Sequence, residues 1–187
     1  MLEIKGKSVV LREFTETELY NPEYFKWLRN YNNIKYIYRL EYLKSLSFDS
    51  VKNHINLILN SSDNSLLAIY ENENSNFIGT LKIGHINWRT GIADIGIMIG
   101  DENFKGKGLS KESITIACDY AFKWLGLRKI TAGTFENNFP MIKCFEKVGF
   151  IIEGRKRKEL LVDGSYIDHI LFGLFKEEFY TKHQTML

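Results

Sequence analysis

From Ile92 to Ile99 apolar and polar positions alternate along the chain. Ala93, Ile95, Ile97 and Ile99 fall on one face, and Asp94, Gly96 and Met98 on the other. That period of two predicts a strand with two distinct faces. Val9–Phe14, Leu66–Glu71, Phe77–Trp88 and Lys129–Thr134 read as further strands. Past Leu109 the period lengthens: Ala117, Tyr120, Ala121, Trp124 and Leu125 recur at helical spacing, which predicts a helix to about Leu125. Helical segments also cover about Pro22–Asn30 and Phe48–Leu59. A further helix accepts Pro140 in its first turn and stops at Gly149, with Phe150 packing back. Asp163-Gly164 predicts a two-residue hairpin between two last strands. The order is β-α-α-β-β-β-α-β-α-β-β. No linker, repeat or low-complexity segment interrupts it, so residues 1–187 are expected to form a single domain.

Between the Ile92–Ile99 strand and the next helix lies Asp101-Glu102-Asn103-Phe104-Lys105-Gly106-Lys107-Gly108-Leu109-Ser110-Lys111-Glu112. A glycine-punctuated turn at a helix start leaves backbone N–H groups unpaired where the macrodipole is positive, which suits phosphate oxygens. Counting excludes two common phosphate loops. Five residues separate Gly100 from Gly106, and Gly108 rather than Ser or Thr follows Lys107, so this is not a P-loop. A dinucleotide fingerprint needs glycine or alanine at position 111, which is Lys111.

Lys105-Gly106-Lys107-Gly108-Leu109-Ser110 resembles the acetyl-CoA pyrophosphate loop of the GNAT-type N-acetyltransferases, Gln/Arg-x-x-Gly-x-Gly/Ala. It departs at Lys105, which keeps a positive charge, and at Ser110, which is still small. Asn138-Phe139-Pro140-Met141-Ile142-Lys143-Cys144-Phe145-Glu146-Lys147-Val148-Gly149-Phe150 is similar to the same family's Asn-x-x-Ser-Ile-x-x-Tyr-Glu-Lys-x-Gly-Phe helix. The front end, Lys7–Glu13 then Trp27-Leu28-Arg29-Asn30, and the ending Asp163–Asp168 to Gly173-Leu174 look like the branch containing ribosomal-protein N-terminal acetyltransferases. The resemblance covers nearly the whole chain. It implies one α/β domain, a mixed and mostly antiparallel twisted sheet flanked by helices, whose splayed central strands form the CoA slot.

The activity it implies is direct acetyl transfer from acetyl-CoA to a primary amine, with no metal. Candidate acceptors are the N-terminal amine of a protein such as a ribosomal protein, and an amino sugar on a nucleotide carrier; an antibiotic or polyamine ranks behind them. The cofactor residues it implies are Ile97, Met98 and Ile99 along the pantetheine arm, the loop Lys105, Gly106, Lys107, Gly108, Leu109 and Ser110, and Asn138 and Phe145. Asn138 reads equally as a helix N-cap. Many relatives carry a tyrosine at the position of Phe145, to protonate the departing thiolate. Phenylalanine has no proton to give, so water, Tyr166 or no acid serves that step. An acyl-CoA-binding module without turnover is therefore the alternative reading.

Asp94 is the candidate general base: the resemblance implies an acid at this strand position, the alternation points it away from the all-apolar face, and a carboxylate raised in pKa by burial can take the amine's proton, through water. Its structural alternative is an ion pair with Arg12 or Arg89. His85, on the face of Leu81 and Ile83, reads first as a core histidine and second as a base; His169 ranks below it. The basic run Arg155-Lys156-Arg157-Lys158 reads as a solvated strand edge or as a lure for acidic substrates. Tyr20, Tyr24, Tyr31, Tyr36, Tyr38, Tyr42 and Trp27 divide between core and acceptor pocket.

Composition adds bounds. Hydrophobic residues make up 44% and charged residues 26% of 187, an ordinary globular balance. No apolar run approaches the length of a membrane span, and Met1–Lys5 has no apolar signal region. Cys118 and Cys144 read as free thiols in helices, which fits a reducing cytoplasm. The net charge of +2 does not argue for nucleic acid. The expected partners are an amine acceptor and, in oligomeric form, a second copy as a homodimer.

Overall fold

The computed structural model describes residues 2–37 and 46–184. Its elements in chain order are β1 (Glu3–Lys5), β2 (Val9–Glu13), α1 (Glu16–Leu19), α2 (Pro22–Arg29), α3 (Tyr31–Ile34), α4 (Phe48–Leu59), β3 (Asn64–Glu71), β4 (Phe77–Asn87), β5 (Ile92–Ile99), α5 (Leu109–Lys123), β6 (Lys129–Phe135), α6 (Phe139–Val148), β7 (Ile151–Val162), β8 (Ser165–Phe175) and α7 (Lys176–Lys182). The strands form one sheet in the order β1-β2-β3-β4-β5-β6-β8-β7. Among the described residues every neighbouring pair is antiparallel except β5 and β6. The expected mixed, mostly antiparallel sheet is therefore what the chain builds.

Helices cover both faces. On one face Val9, Leu11, Leu67, Ala93, Ile95, Ile130 and Phe172 pack against Ile114, Ala117, Phe122, Phe145 and Phe179 of α5, α6 and α7. On the other, Ala68 and Met98 lie under Phe14, Leu19, Tyr24, Trp27 and Leu28, with Val51, Ile55 and Ile58 of α4. The alternation in β5 is thus used twice, with Ala93 and Ile95 serving one core and Met98 the other.

Four short elements escape the sequence pattern: β1, α1, α3 and α7. Each is too short for a periodicity to show. For α1 a signal exists nonetheless, because Thr15 and Glu18 make a capping box: Thr15 accepts from Thr17 N while Glu18 Oε2 accepts from Thr15 N at 2.6 Å.

Gly100, at the end of β5, matters for closeness rather than for its dihedral angles. A Cβ there would lie 2.1 Å from Cδ2 of Trp27, whose ring packs on Phe77. Gly100→Ala is expected to cost about 1–3 kcal/mol by overpacking. The check is thermal unfolding, at about 2–4 °C of lowered Tm per kcal/mol.

Candidate active site

β5 and β6 stay paired only through Ile92↔Lys129, Ala93↔Ile130 and Asp94↔Thr131. Beyond those pairs β5 runs on to Ile99 and β6 to Phe135 with no further register between them. The sheet opens in a V whose apex is Asp94 and Thr131. Backbone groups along Ile95–Ile99 face that opening, and an extended amide chain can add to such an edge as a strand would. Pantetheine is an extended amide chain, so Ile97, Met98 and Ile99 suit its arm. Their side chains meanwhile remain half-buried or buried in the two cores.

At the mouth of the V, β5 leads through a turn at Glu102–Phe104 into Lys105, Gly106, Lys107 and Gly108, and then α5. Gly106 and Gly108 have φ of +72° and +80°, which glycine adopts without strain. A Cβ on either would meet nothing within 4 Å, so the concave side of the loop is open. Gly108 is the N-cap of a fifteen-residue helix and offers no capping side chain. The first-turn N–H groups, including those of Leu109 and Ser110, are therefore available to an anion. Lys105 departs from expectation. Its ammonium turns to Asn33 Oδ1 at 2.5 Å and Glu102 Oε1 at 2.7 Å, tying the loop to α3. The Lys107 ammonium lies 5.2 Å over the Phe104 ring.

Asn138 stands at the start of α6 but makes no side-chain cap; its Nδ2 donates to Thr134 Oγ1 at 3.2 Å, at the end of β6 bordering the opening. Phe145 is 2% exposed, with its ring against Phe150 and Phe172, so it is a core residue. Tyr166 stands apart from the apex. It is 67% exposed near the β7–β8 turn, seven residues along β8 from Gly173, the partner of Thr131. At roughly 3.3 Å per residue that is about 23 Å. Alternation also turns Tyr166 to the opposite face from Asp94.

Asp94 shares its sheet face with Lys82 and Gly84 of β4, and Thr131 and Gly133 of β6. The Thr131 hydroxyl lies 3.3 Å from Asp94 Oδ2. Solvent reaches the residue from the cleft, yet protein walls it on the other sides. That partial desolvation pushes its carboxyl up to about 6, against the opposing pull of Thr131, Lys82 and His169. The expected partners Arg12 and Arg89 are not among these. Arg12 pairs with Glu3 and stacks on Tyr70.

An open groove of about 720 Å³ runs between α4 and β4, lined among others by His54, Asp63, Lys82, His85 and Trp88; Asp94 is not in its lining, but Lys82, which is, also acts on the Asp94 carboxyl. Gly84, the strand partner of Asp94, lets the Lys82 side chain lie across it: a Cβ there would fall 2.8 Å from Lys82 Nζ. His85 is not a core histidine. A bulge between Gly84 and Asn87 sets its φ at +51° and turns it out to the groove. Lys82, Thr131, Asp63 and Trp88 carry no motif and come from separate elements, so spacing along the chain could not have grouped them.

The basic run is a strand edge. Arg155 pairs with Glu136 and Asp168, and Lys156 with Glu159. Of the tyrosines, Tyr24 is core and Tyr36 packs on Phe135. The Tyr31 hydroxyl donates to Asp163 at 2.7 Å, and Tyr20 accepts from Lys52. Tyr38 and Tyr42 lie outside the described residues. Cys118 and Cys144 are free, and burial raises both thiols, Cys144 to about 11, so neither is a poised nucleophile. No helix among the described residues is long and apolar enough to cross a membrane. No group of three or more metal-ligating side chains occurs among them.

Comparison with known proteins agrees with this geometry. The family model described as an acetyltransferase (GNAT) domain matches residues 8–151. The SPbeta prophage-derived uncharacterized N-acetyltransferase YokL of Bacillus subtilis is 38% identical over 82 residues, 44% of this chain and 46% of that one. The spermidine N(1)-acetyltransferase of Escherichia coli K12 is 27% identical over 128 residues, 68% of this chain and 67% of that one. The chain thus spans about half to two thirds of the length of these relatives. The crystal structure of the Vibrio cholerae spermidine N-acetyltransferase with CoA and spermine superposes with a TM-score of 0.83 at 23% identity, over 93% of this chain and 99% of that one, and shows the same fold. None of the three carries a ribosomal protein in its name, so the expected branch gains no support from them. With its V-shaped strand opening, its glycine loop at a helix start and a family match over most of its length, the chain belongs to the GNAT family of acetyl-CoA-dependent N-acetyltransferases.

Proposed function

We propose that the chain acetylates a small primary amine that enters by the groove between α4 and β4, with Asp94 as the proton acceptor. The observation that carries this reading is the position of Asp94. It sits at the apex where the strands part, paired with Gly84 between the groove residues Lys82 and His85, and burial pushes its carboxyl up to about 6. Acetyl-CoA supplies an activated acyl group, and the residues of this chain do the rest. The α5 N-terminus and the glycine loop hold phosphate, the β5 edge orients the arm, and Asp94 with Thr131 receives a proton from the acceptor nitrogen.

The groove also bears on the acceptor. Its described lining carries one carboxylate, Asp63, which already accepts from Trp88 Nε1 at 3.1 Å. Lys82 also lines it, and its charge acts on the Asp94 carboxyl as well. A compact amine with a single ammonium fits that balance better than a long polycation, although spermidine is the substrate in a relative's name.

Release of free thiol from acetyl-CoA should be followed with spermidine, ethanolamine, glycinamide, a nucleotide-linked amino sugar and an Ala-initiated peptide. The expected result is turnover, fastest with a compact monoamine. Spermidine as the best acceptor would overturn the charge argument. Tight CoA binding with no thiol release on any amine, at any pH, would favour the binding module that Phe145 motivates.

A further inference from the structure

Gly96 stands two residues past Asp94 on the same face of β5, with Lys82 of β4 as its strand partner. Nothing in the fold asks for glycine there. Its backbone is ordinary strand, outside the positive-φ set to which Gly106 and Gly108 belong. Packing does not require it either. A Cβ at Gly79 would lie 2.2 Å from the Met98 carbonyl oxygen, and one at Gly100 2.1 Å from Trp27. One at Gly96 meets nothing within 4 Å among the described residues, and Gly96 is exposed although β5 is an interior strand of the eight. Glycine weakens a strand interior, where a β-branched residue serves better. A strand glycine that neither backbone nor neighbours require keeps space for an approaching group.

That space has an end wall. The segment 31–37 crosses the tips of the opening on the Asp94 face. Asn33 Nδ2 donates to Gly100 O at 3.1 Å, just past β5, and the Tyr36 ring packs on Phe135, the last residue of β6, with centroids 5.5 Å apart. Phe135 shares its face with Thr131, the partner of Asp94, and clusters with Leu160 and Val162. From Thr131 to Phe135 is four residues, about 13 Å. Between the arms lies a chamber with Asp94 at one end, the bare backbone of Gly96 as floor, and aromatic rings at the other end. α5 packs on the opposite face, against Ala93 and Ile95. A donor held by the α5 N-terminus therefore leaves the chamber to the acceptor.

We propose that the chamber over Gly96 holds the body of the acceptor, and that glycine at 96 sets the size of amine the enzyme takes. The substrate class is a primary amine carrying one uncharged, mostly apolar body. That body lies over Gly96 toward Tyr36 and Phe135, where rings and apolar groups pack well, while the nitrogen stays at Asp94. This rests on the reading of Asp94 as the proton acceptor.

The probes are ethanolamine, isobutylamine and phenethylamine, which share one ammonium and differ in the bulk behind it. Thiol release from acetyl-CoA gives kcat/KM for each, with the parent chain and with Gly96→Val, and calorimetry gives CoA affinity. In the parent, kcat/KM should rise at least about tenfold from ethanolamine to phenethylamine. Gly96→Val should lower it for phenethylamine at least about tenfold, leave ethanolamine within about threefold, and keep CoA affinity within about twofold. Because valine suits a strand, the variant should melt no lower than the parent. Gly96→Ala, with less bulk, should fall between the two on phenethylamine, and it carries the test if the valine variant does not fold. Equal loss on all three amines, lost CoA affinity, or a parent that does not favour the larger amines overturns the proposal. So does a parent that releases thiol with none of the three. If Asp94→Asn is inactive while the Gly96 variants keep the parent's order of amines, only this inference fails. Should Asp94→Asn prove harmless, the acceptor-site reading fails with it.

Discussion

Asp94→Asn is expected to lower kcat at pH 7.5 by at least about 100-fold, the lower end of what acid–base catalysis contributes, while CoA affinity stays unchanged. Asparagine keeps the shape and can still meet the Thr131 hydroxyl, but it accepts no proton. The acidic limb of the parent profile should lie near the carboxyl's value of about 6, rising with pH as the base form appears, and it should vanish in the variant. Stability supplies an independent sign. The folded value lies above the ordinary 3.8, so the fold binds this proton more tightly than the unfolded chain does. That contribution is complete below the unfolded value and is lost as pH rises through about 6. Asp94→Asn should therefore unfold at a higher temperature than the parent above pH 7, and lose that advantage toward pH 4. A variant that is inactive yet more heat-resistant at pH 7.5 separates a catalytic carboxylate from a structural one. Full activity with an unchanged profile would remove Asp94 from the mechanism.

Gly108→Val is expected to weaken CoA binding at least tenfold, about 1.4 kcal/mol. Two effects act together. At φ +80° a β-branched residue is strained, so the turn that presents the α5 N–H groups shifts. The space into which the new methyls project is open in the fold and is where a phosphate approaching those N–H groups must lie. Gly108→Ala shares the dihedral strain with less bulk and should fall between the parent and valine. Calorimetry with CoA is the measurement, with circular dichroism to establish that the domain is folded. An unchanged CoA affinity in a folded Gly108→Val would show that the loop is not the cradle.

The chain itself determined the long elements. β5 and α4 have the ends that the pattern predicts, because each carries a full run of its own period: two in Ile92–Ile99, and 3.6 in Phe48–Leu59, with Ser47 as cap. The glycine loop was legible for a similar reason, since backbone amides at a helix start are a local property of Gly106, Gly108 and the turn before them. Asp94 could be singled out because the family resemblance implies an acid at this strand position and its own alternation set it off from Ala93 and Ile95. Three-dimensional arrangement decided the rest. His85 reads as an apolar-face residue from its neighbours Leu81 and Ile83, but a bulge reverses it, and bulges depend on how two strands register. Tyr166 looked available from its place in the chain, whereas β8 carries it about 23 Å from the apex and onto the other face. Phe145 marks a motif position, and only packing against Phe150 and Phe172 makes it core. The set around Asp94 joins Lys82, Thr131 and His169 from three other strands, and a sheet aligns residues far apart in sequence by hydrogen-bond register. Local sequence writes periods and turns; which side chains meet across the splayed strands is set by how the strands pair, and that is a property of the whole fold.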